Sequence, residues 1–459
     1  MDPTAHVEQH RERFLAQLQD LLRIPSVSAL SQHRPDVWRA AEWVAEDLRA
    51  IGLHGVEVIP DAEGGHPLVY GEWLDAPGCP TLLIYGHYDV QPPDPLELWQ
   101  TPPFEPAVRG DDLYARGASD DKGQMLALLK GVEAVLQTQG RLPINLKVLI
   151  EGEEEVSGTH IERFVRAHAA RLRADAALIA DSPMFAPGLP TLCTGLRGLV
   201  YTEIEAHGAA HDLHSGLYGG AAPNALSGLA AILAGLKDES TGRIQVPGFY
   251  DAVEPPTEQE KAAWARLPFD ERAYLTREVG ASALAGEQGY SVLERTWARP
   301  TLDVNGVIGG FTGEGAKTVI PARAMAKVSM RLVPRQDPAQ VFASFERYVQ
   351  ELCPPGVRAT VRLLGCAAPV TLPADTPAMR AAATALEETF GTPAALVRMG
   401  GSIPIVATFF SAAGVPSVLA GFGLPDDNLH APNEKFHLPN FFAAIRFTAR
   451  FVQRYGGPL

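Results

Sequence analysis

The sequence predicts an α/β fold, in which a first domain with a twisted central sheet flanked by helices is interrupted by an inserted α+β domain. Three observations predict it. Segments of helical periodicity alternate with short strand-like runs through the first third of the chain, as in a helix-covered sheet. Between residues 196 and 370, strand-like runs are instead separated by two helical stretches and a proline-rich break. Helix and strand alternate again from about residue 376 onward.

The first third of the chain contains the first helices and strands of the first domain. Apolar residues such as Phe14, Leu18 and Leu21 recur at the spacing of one helix face. The predicted helices span residues 5–22, 36–51, 121–137 and 160–171. The predicted strands are short apolar runs at 56–59, 68–72, 81–85, 144–150 and 176–180.

The middle of the chain contains the inserted domain. Its predicted strands and helices lie at 200–205, 224–236, 257–266, 301–304, 324–332 and 358–363, with the proline-rich break at 246–256. The later elements are expected at 376–389, 394–398, 403–412, 416–420 and 439–454. We therefore predict a discontinuous first domain of residues 1–194 and 372–459, and an inserted domain of residues 195–371.

The composition is that of an acidic, folded protein. The 459-residue chain has 39 Lys and Arg against 54 Asp and Glu, and its formal net charge is −15. This balance argues against nucleic acid and anionic membrane partners, because both require clustered Lys and Arg. No apolar run reaches the roughly 18 residues of a membrane helix, and the beginning of the chain lacks the apolar stretch of a secretory signal. The four cysteines are scattered without a CxxC pair. We therefore expect a cytoplasmic protein.

Side chains of the kind that bind metals follow several of the predicted strands. His87 and Asp89 come just after the strand TLLIY, and Asp181 follows AALIA. The run Glu151–Glu155 ends the strand INLKVLI, while Asp120 stands just before a helix. Ligand sites in open α/β sheets form outside the carboxyl ends of the strands. If these strands are parallel, the sequence predicts that all of these side chains meet in one crevice.

Each of these signals alone has an ordinary structural explanation. Asp120 and Asp121 could cap the following helix, and Asp181 could belong to a simple turn. The acidic run is harder to explain in this way, because it terminates an apolar strand of the kind that lies deep in a sheet. Carboxylates crowded there would raise each other's pKa, and a divalent cation would relieve that cost. The combination therefore favours a metal site.

The residue types limit the metal and its chemistry. Imidazole with several carboxylates and no thiolate suits zinc, manganese or cobalt. The carboxylates exceed the needs of one tetrahedral ion, so two ions sharing a bridging carboxylate, roughly 3.5–4 Å apart, would use the surplus. A neighbouring Glu left uncoordinated could act as general base. These features predict metal-assisted hydrolysis.

Motifs along nearly the whole chain resemble, in their order, those of the M20 metallopeptidase family. They are GHYDVQ, RGASDDKG, EGEEE, the isolated Asp181, DLHSG, KTVIP with MRLVP, GGSIP and HAPNEK. The resemblance is closest to the cytosolic non-specific dipeptidases and carnosinases. It implies an α/β catalytic domain interrupted by a lid that also forms a homodimer, and hydrolysis of dipeptides by a dinuclear site with two divalent metal ions, zinc foremost and manganese or cobalt as alternatives.

The resemblance also implies a role for individual residues of the catalytic domain. Asp120 would bridge the two metals, Glu154 would be the general base, and Asp89 would orient a ligand ring. The first metal would be shared with His87 and Asp181, and the second with Glu155 and His430. Asp121 would help to shape the turn. Without the resemblance, His430 would be interpreted as a histidine of a surface loop.

Four further residues are implied to contact the substrate. His214 in DLHSG would stabilise the oxyanion, reaching the site from the other subunit of a dimer. Arg331 in MRLVP would grip the free carboxylate of the substrate, since a guanidinium suits a planar anion. Gly401 and Ser402 in GGSIP would contact the same end. Without the motifs, Arg331 would be interpreted as a solvated strand residue and GGSIP as a tight turn.

Other functions remain open at this stage. An aminoacylase or deacylase on the same scaffold would cleave N-acyl amino acids. In the family that the motifs resemble, however, Asp at position 181 accompanies dipeptidases and aminopeptidases, and Glu accompanies carboxypeptidases and acylases. A protein that only binds a ligand would be expected to lack a metal ligand or the base, and none is missing. A serine hydrolase is disfavoured because no GxSxG elbow occurs. The sequence thus favours a dipeptidase.

Overall fold

The structure is a computed structural model that describes residues 2–156 and 158–457. The chain forms two compact units, and the sequence of the second is inserted into that of the first. The first unit contains Met1–Thr194, Leu372–Val397 and Thr408–Leu459, and the second contains Gly195–Thr371 and Arg398–Ala407. The short segment Arg398–Ala407, which we expected in the catalytic domain, packs with the second unit. The functional division at 195–371 stays a prediction.

The helices and strands follow the predicted alternation. The α-helices are α1 (Pro3–Gln9), α2 (Arg11–Leu22), α3 (Arg34–Ile51), α4 (Lys122–Gln139), α5 (His160–Ala167), α6 (Ala169–Leu172), α7 (Ser215–Tyr218), α8 (Ala225–Leu236), α9 (Glu258–Trp264), α10 (Glu271–Ala273), α11 (Val292–Trp297), α12 (Pro338–Glu351), α13 (Pro377–Phe390), α14 (Pro404–Thr408) and α15 (Leu438–Gly456). The strands are β1 (His54–Ile59), β2 (Leu68–Trp73), β3 (Thr81–His87), β4 (Ala107–Arg109), β5 (Asp112–Tyr114), β6 (Asn145–Glu151), β7 (Ala176–Ile179), β8 (Thr191–Leu196), β9 (Gly198–His207), β10 (Leu213–His214), β11 (Lys237–Asp238), β12 (Arg243–Ile244), β13 (Thr301–Gly309), β14 (Val319–Ile320), β15 (Arg323–Leu332), β16 (Arg358–Ala367), β17 (Val370–Thr371), β18 (Ala395–Met399), β19 (Ser417–Leu419) and β20 (Lys435–His437).

The first unit is built on a mixed sheet in which the strands run in the order β1-β2-β6-β3-β7-β19-β8. Strands β6, β3, β7 and β19 are parallel to their neighbours within this group, whereas β1, β2 and β8 pair antiparallel. The parallel strands are buried along almost their entire length, as expected for a sheet covered by helices. Their carboxyl ends lie on one edge of the sheet. The predicted α/β fold is confirmed.

Helix α4 forms the centre of the core that covers this sheet. Its residues from Lys122 to Val135 are all buried. It packs against α15 so closely that a Cβ on Gly131 would lie 2.3 Å from the Cβ of Thr448. A side chain at this position would therefore push the two helices apart. The rigid α4 begins directly after the Asp120–Asp121 pair and so fixes the position of that loop.

The second unit contains an antiparallel sheet in the order β13-β15-β9-β16. Burial alternates strictly along β9 and β15, the pattern of a sheet covered on one face. Helices α8 and α12 cover that face, and Val200, Val328 and Phe345 are completely buried in the core between them. The opposite face presents polar residues, among them Arg331. The strand runs predicted from the sequence correspond to β9, β13, β15 and β16.

Several elements differ from the prediction. The helix expected at 5–22 breaks into α1 and α2 at His10, and the one expected at 403–412 is α14 followed by a π-helix at Phe409–Ala413. The small sheet of β20, β5 and β4 was not predicted, because strands of three residues show no periodicity. Among the described helices, none combines the length and the apolar character needed to cross a bilayer.

Candidate metal centre

The sheet brings the predicted ligands together at one edge. Strand β3 ends at His87, which lies beside Glu151 at the end of β6 in parallel register. Asp181 follows the end of β7 by two residues, and β7 is the other neighbour of β3. Parallel strands thus place these side chains together, as the sequence predicted.

One group of ligand-type atoms forms around His87. The His87 side chain is completely buried, and its Nε2 lies 3.1 Å from Asp120 Oδ1 and 4.0 Å from Asp181 Oδ2. One ligand-type atom from each of the three residues lies within 4.8 Å of the other two, the spacing of side chains around a single ion. This is the first of the two predicted ligand sets.

A second group forms on the other side of Asp120. His430 Nε2 lies 2.9 Å from Asp120 Oδ2 and 3.2 Å from Glu155 Oε2. His430 adopts a positive φ of 59° in the loop before β20. Because Oδ1 of Asp120 faces one group and Oδ2 faces the other, this carboxylate has the arrangement of a bridging ligand. The structure therefore brings together all five residues predicted to bind metal.

The pKa values in the two groups show that the groups bind positive charge strongly. Burial and the nearby charge of Asp120 together raise the pKa of Asp181 to about 7. Hydrogen bonds with Asp120 and Glu155 raise the pKa of His430 to about 10. Burial opposes protonation of His87, yet hydrogen bonds with Asp120 and Asp89 raise its pKa well above its ordinary value. Bound protons thus reduce the repulsion between the crowded carboxylates. Divalent cations in place of these protons would bind the same oxygen and nitrogen atoms. The donor set fits two such ions.

Asp89 connects His87 to the acidic run. Its backbone carbonyl lies 3.1 Å from His87 Nδ1, and its Oδ1 lies 3.4 Å from the same nitrogen. The two carboxylate oxygens also accept hydrogen bonds from the backbone N–H groups of Glu154 and Glu155, at 3.3 and 3.2 Å. One buried carboxylate therefore orients the imidazole and fixes the 3-10 turn that presents both glutamates.

Glu154 lies beside the two ligand groups but belongs to neither of them among the residues the structure describes. Burial and the charges of Asp181, Glu155 and Asp89 raise the pKa of Glu154 to about 8. The charge of His87 opposes this shift. A carboxylate with so high a pKa is a strong enough base to take a proton near neutral pH. Its position and pKa suit the predicted general base.

The other acidic residues of these motifs have structural contacts. Glu153 accepts a hydrogen bond from the backbone N–H of His66 at 2.6 Å, and Glu151 accepts one from the Tyr85 hydroxyl at 2.5 Å. Asp121 occupies the position before α4 without a side-chain capping bond. It instead accepts a hydrogen bond from the His87 N–H at 3.2 Å. Helix capping, the alternative interpretation of this residue, is therefore wrong.

Glu434 is a residue of the site that the sequence did not identify. This fully buried carboxylate accepts hydrogen bonds from Arg116 Nη1 at 2.7 Å and from the backbone N–H groups of Gly117, Ser119 and Asp120 at 2.9, 3.0 and 3.1 Å. It thereby holds the loop that carries the bridging Asp120. The HAPNEK motif contains Glu434 and was the available signal for it. The loop that Glu434 contacts lies more than 300 residues earlier in the chain, so local patterns do not connect the two.

The remaining predicted residues lie in the second unit. Arg331 Nη1 donates to Ser402 Oγ at 3.1 Å, and the same hydroxyl donates to the backbone carbonyl of Arg197 at 2.6 Å. Gly401 is exposed in the turn that carries Ser402. His214 is exposed on β10, where its Nδ1 accepts a hydrogen bond from the Gly216 N–H at 3.0 Å. Arg331 and Ser402 thus lie in contact with each other, while their contacts with the substrate and the catalytic role of His214 stay predictions.

Comparisons with known proteins agree on one family. The model of peptidase family M20/M25/M40 matches residues 83–454. The chain is 31% identical to the Cys-Gly metallodipeptidase DUG1 of Candida albicans, over 98% of this chain and 96% of that protein. It is 30% identical to the Beta-Ala-His dipeptidase of Homo sapiens, over 97% and 90%.

Solved structures give the same result. The structure of the dipeptidase Dug1p from Saccharomyces cerevisiae superposes with a TM-score of 0.84 and 29% identity, over 99% of this chain and 98% of that one. The M20 family metallo-carboxypeptidase Sso-CP2 from Sulfolobus solfataricus gives 0.86 and 32% identity, over 96% and 99%. The chain therefore belongs to peptidase family M20/M25/M40.

Proposed function

We propose that this protein is a metal-dependent dipeptidase with a dinuclear metal site. The observation that carries the proposal is the position of Asp120, which presents one carboxylate oxygen to each of two His-and-carboxylate groups. The relatives named as Cys-Gly and Beta-Ala-His dipeptidases support dipeptides as the substrate class. His87 and Asp181 would hold the first ion, Glu155 and His430 would hold the second, and Asp120 would serve both.

The proposed mechanism assigns the proton transfers to Glu154. Two divalent cations in this site would supply Lewis acidity toward the peptide carbonyl and toward the attacking water. Glu154 takes a proton from that water and later gives it to the leaving amine, because its raised pKa suits both directions near neutral pH. Asp89 keeps the Glu154 turn and the His87 ring in place throughout.

The proposed substrate contacts come from the second unit. Arg331 and Ser402 bind the free carboxylate of the substrate, with Gly401 leaving room for it in the turn. Their mutual hydrogen bond supports this assignment, because it pre-orients the guanidinium. His214 stabilises the oxyanion, and we assign it to the neighbouring subunit of a homodimer.

A homodimer formed by the lid, residues 195–371, is part of the proposal. Strand β13 lies at the edge of its sheet, and Val304, Val307 and Ile308 are exposed along it. An open apolar edge of this kind favours pairing with a second chain. Sedimentation velocity tests the proposal, and a fully active monomer would remove the role of His214 in the other subunit.

Zinc is the proposed metal, with manganese and cobalt as alternatives, since two imidazoles and three carboxylates suit all three. Metal analysis of the protein purified without added metal would identify the ion.

The cytoplasm is the proposed compartment, which agrees with the free thiols of Cys79, Cys353 and Cys366.

A carboxypeptidase is the second candidate, because the chain is 32% identical to a protein named as an M20 family metallo-carboxypeptidase. An aminoacylase is the third, and Asp at position 181 disfavours both of these candidates. The three activities differ in whether the substrate needs a free amino group and in which bond is cut.

The deciding experiment measures hydrolysis of Ala-Ala, N-acetyl-Ala-Ala and N-acetylalanine with zinc or manganese, with a chelator and the Glu154→Gln variant as controls. A dipeptidase cleaves only Ala-Ala, and both controls abolish the cleavage. Cleavage of the Ala–Ala bond in N-acetyl-Ala-Ala would establish the carboxypeptidase instead, and release of acetate from N-acetylalanine would establish the acylase. No cleavage with either metal would contradict the proposal.

A further inference from the structure

The second unit contains a cavity of about 520 Å³ on the sheet face opposite α8 and α12. Strands β13 and β15 form its floor, and Arg331 lies at one side. Positive side chains dominate the lining, since the charged residues are Arg197, Lys237, Arg295, Arg299 and Arg331 against Glu287 and Asp303. The cavity therefore carries a net positive charge.

Three of these cations already have local partners. Arg299 donates from Nε and Nη2 to the carboxylate of Glu287, at 2.7 and 2.8 Å. Lys237 forms an ion pair with Glu239 at 3.2 Å. Arg295 donates to the backbone carbonyls of residues 287 and 285. These contacts account for the structure of the cavity wall.

Arg197 and Arg331 lack carboxylate partners, because the hydrogen bonds of their guanidinium groups go to neutral oxygen atoms. Arg197 Nε donates to the carbonyl of Gly400 at 3.0 Å, and Arg331 Nη1 donates to Ser402 Oγ. Among the described residues, no carboxylate oxygen lies within ion-pair distance of either guanidinium. Arg295 is like them in this respect, but Arg197 and Arg331 also act on each other as like charges. Burial and the charge of Arg331 lower the pKa of Arg197 to about 10, and the charge of Asp303 opposes this shift. Two like charges held together in this way are stabilised by an anion.

We propose that Arg197 makes this cavity a subsite for an acidic side chain on the carboxyl-terminal residue of the substrate. The inference rests on the proposed function, in which Arg331 holds the α-carboxylate. A carboxyl-terminal Glu or Asp offers two carboxylates, and Arg197 and Arg331 offer two guanidiniums that act on each other and lack carboxylate partners. Arg197 is then a specificity-determining residue, and peptides of the type Xaa-Glu and Xaa-Asp are the preferred substrates.

The test compares kcat/KM for Ala-Glu with that for Ala-Gln, which has the same shape without the charge. The wild-type protein should prefer Ala-Glu by about 10-fold or more, the usual value of a charge-assisted hydrogen bond. In Arg197→Met the ratio should fall to about one. The backbone bonds of residue 197 to Met399 and Ser402 remain in this variant, so the turn keeps most of its support.

A matched control removes a positive charge from the same cavity. Lys237→Met deletes a lining cation that already has Glu239 as its partner, and it should leave the Ala-Glu preference unchanged. Arg197→Lys retains the charge at the position of interest and should retain part of the preference. Turnover of Ala-Gln by each variant reports whether the protein is folded.

Several outcomes would overturn the inference. A wild-type ratio near one while Ala-Ala is cleaved would reject the subsite and leave the proposed function intact. A preference that survives in Arg197→Met would have the same consequence. Calorimetric titration with free L-glutamate and L-glutamine tests the subsite without turnover. If no dipeptide is cleaved but glutamate binds more tightly in an Arg197-dependent way, the anion subsite stands and the proposed function fails.

Discussion

The two units concentrate charges of opposite sign, and they hold them by different means. In the first unit, Glu154 and Asp181 have raised pKa values and lie beside Asp120, whose pKa the two histidines hold below its usual range. In the second, Arg197 and Arg331 share a cavity and lack carboxylate partners among the described residues. The carboxylates are fixed by contacts from distant parts of the chain, whereas the guanidiniums depend on the turn at 399–402.

This difference predicts how each region responds to substitution. Preorganised charge in a buried site acts on the chemical step, because it need not rearrange when the reaction occurs. Charge at a turn acts mainly on binding and on the choice of substrate. Substitutions of the carboxylates in the first unit should therefore change metal content and kcat, while substitutions of Arg197 and Arg331 in the second should change KM and specificity.

The largest effect is expected from Asp120→Ala, since this carboxylate serves both ligand groups. Metal content should fall from two ions per chain to fewer than one, and the loss of activity should exceed the roughly 10–100-fold cost of losing an outer contact. Elemental analysis of the purified protein measures the first quantity. Asp75→Asn, a change at an exposed carboxylate, is the control. Retention of both ions in the alanine variant would exclude a bridging role.

Glu154→Gln should separate metal binding from catalysis within the first unit. The amide cannot accept the proton, so kcat should fall about 10²- to 10⁴-fold. Metal content should stay unchanged because Glu154 belongs to neither ligand group. Steady-state kinetics and elemental analysis on the same preparation check both statements. Near-normal turnover would transfer the role of base to another residue.

Glu434→Gln tests the contacts that hold the Asp120 loop. The variant removes the negative charge beside Arg116 and weakens the bonds to three backbone N–H groups. Metal affinity should fall about 10- to 100-fold, as for other residues that position ligands. Activity at saturating zinc should recover largely, which a residue of the chemical step would not allow. Competition with a chelator of known affinity measures the change, and Glu162→Gln, at an exposed site, is the control.

The sequence predicted the part of this site that follows from topology. His87, Glu155 and Asp181 stand after strands, and parallel pairing is sufficient to bring such positions together. Asp120 was identified by its motif, although local rules offered helix capping as an alternative. Glu434 was missed because its contacts join segments that lie far apart in the sequence. Arg197 was missed because no local pattern shows that a guanidinium lacks a carboxylate partner.

Arg331→Met should have a smaller effect that is confined to binding. Loss of the guanidinium removes charge-assisted hydrogen bonds to the substrate carboxylate, so KM for Ala-Ala should rise about 10- to 100-fold. The amide Ala-Ala-NH2, which lacks that carboxylate, should be cleaved equally well by the wild-type protein and by Arg331→Met. Matched Michaelis–Menten measurements decide this prediction. An equal loss for both substrates would place Arg331 outside carboxylate recognition.

The smallest predicted effect is the change in the free energy of unfolding with pH. Its sign follows from the raised pKa values in the first unit. Asp181 at about 7, Glu154 at about 8 and His430 at about 10 all bind protons more strongly in the folded protein than in the unfolded chain. Without metal, the native state therefore holds more protons than the unfolded state from about pH 4 to 10, and its free energy of unfolding should decrease as pH rises through this range. The midpoint of thermal unfolding of the chelated protein should fall between pH 6 and pH 8, by about 1 °C for each kcal/mol lost in a chain of this length.

Added zinc should reverse this trend, because metal ions compete with the same protons. The stabilisation by zinc should therefore increase from pH 6 to pH 8, as measured by differential scanning calorimetry with and without chelator. The Asp120→Ala protein should show little of this increase. A zinc effect independent of pH would mean that the ions do not replace protons at these carboxylates. The opposing charge of the second unit should not contribute, since Arg197 and Arg331 stay protonated throughout this range.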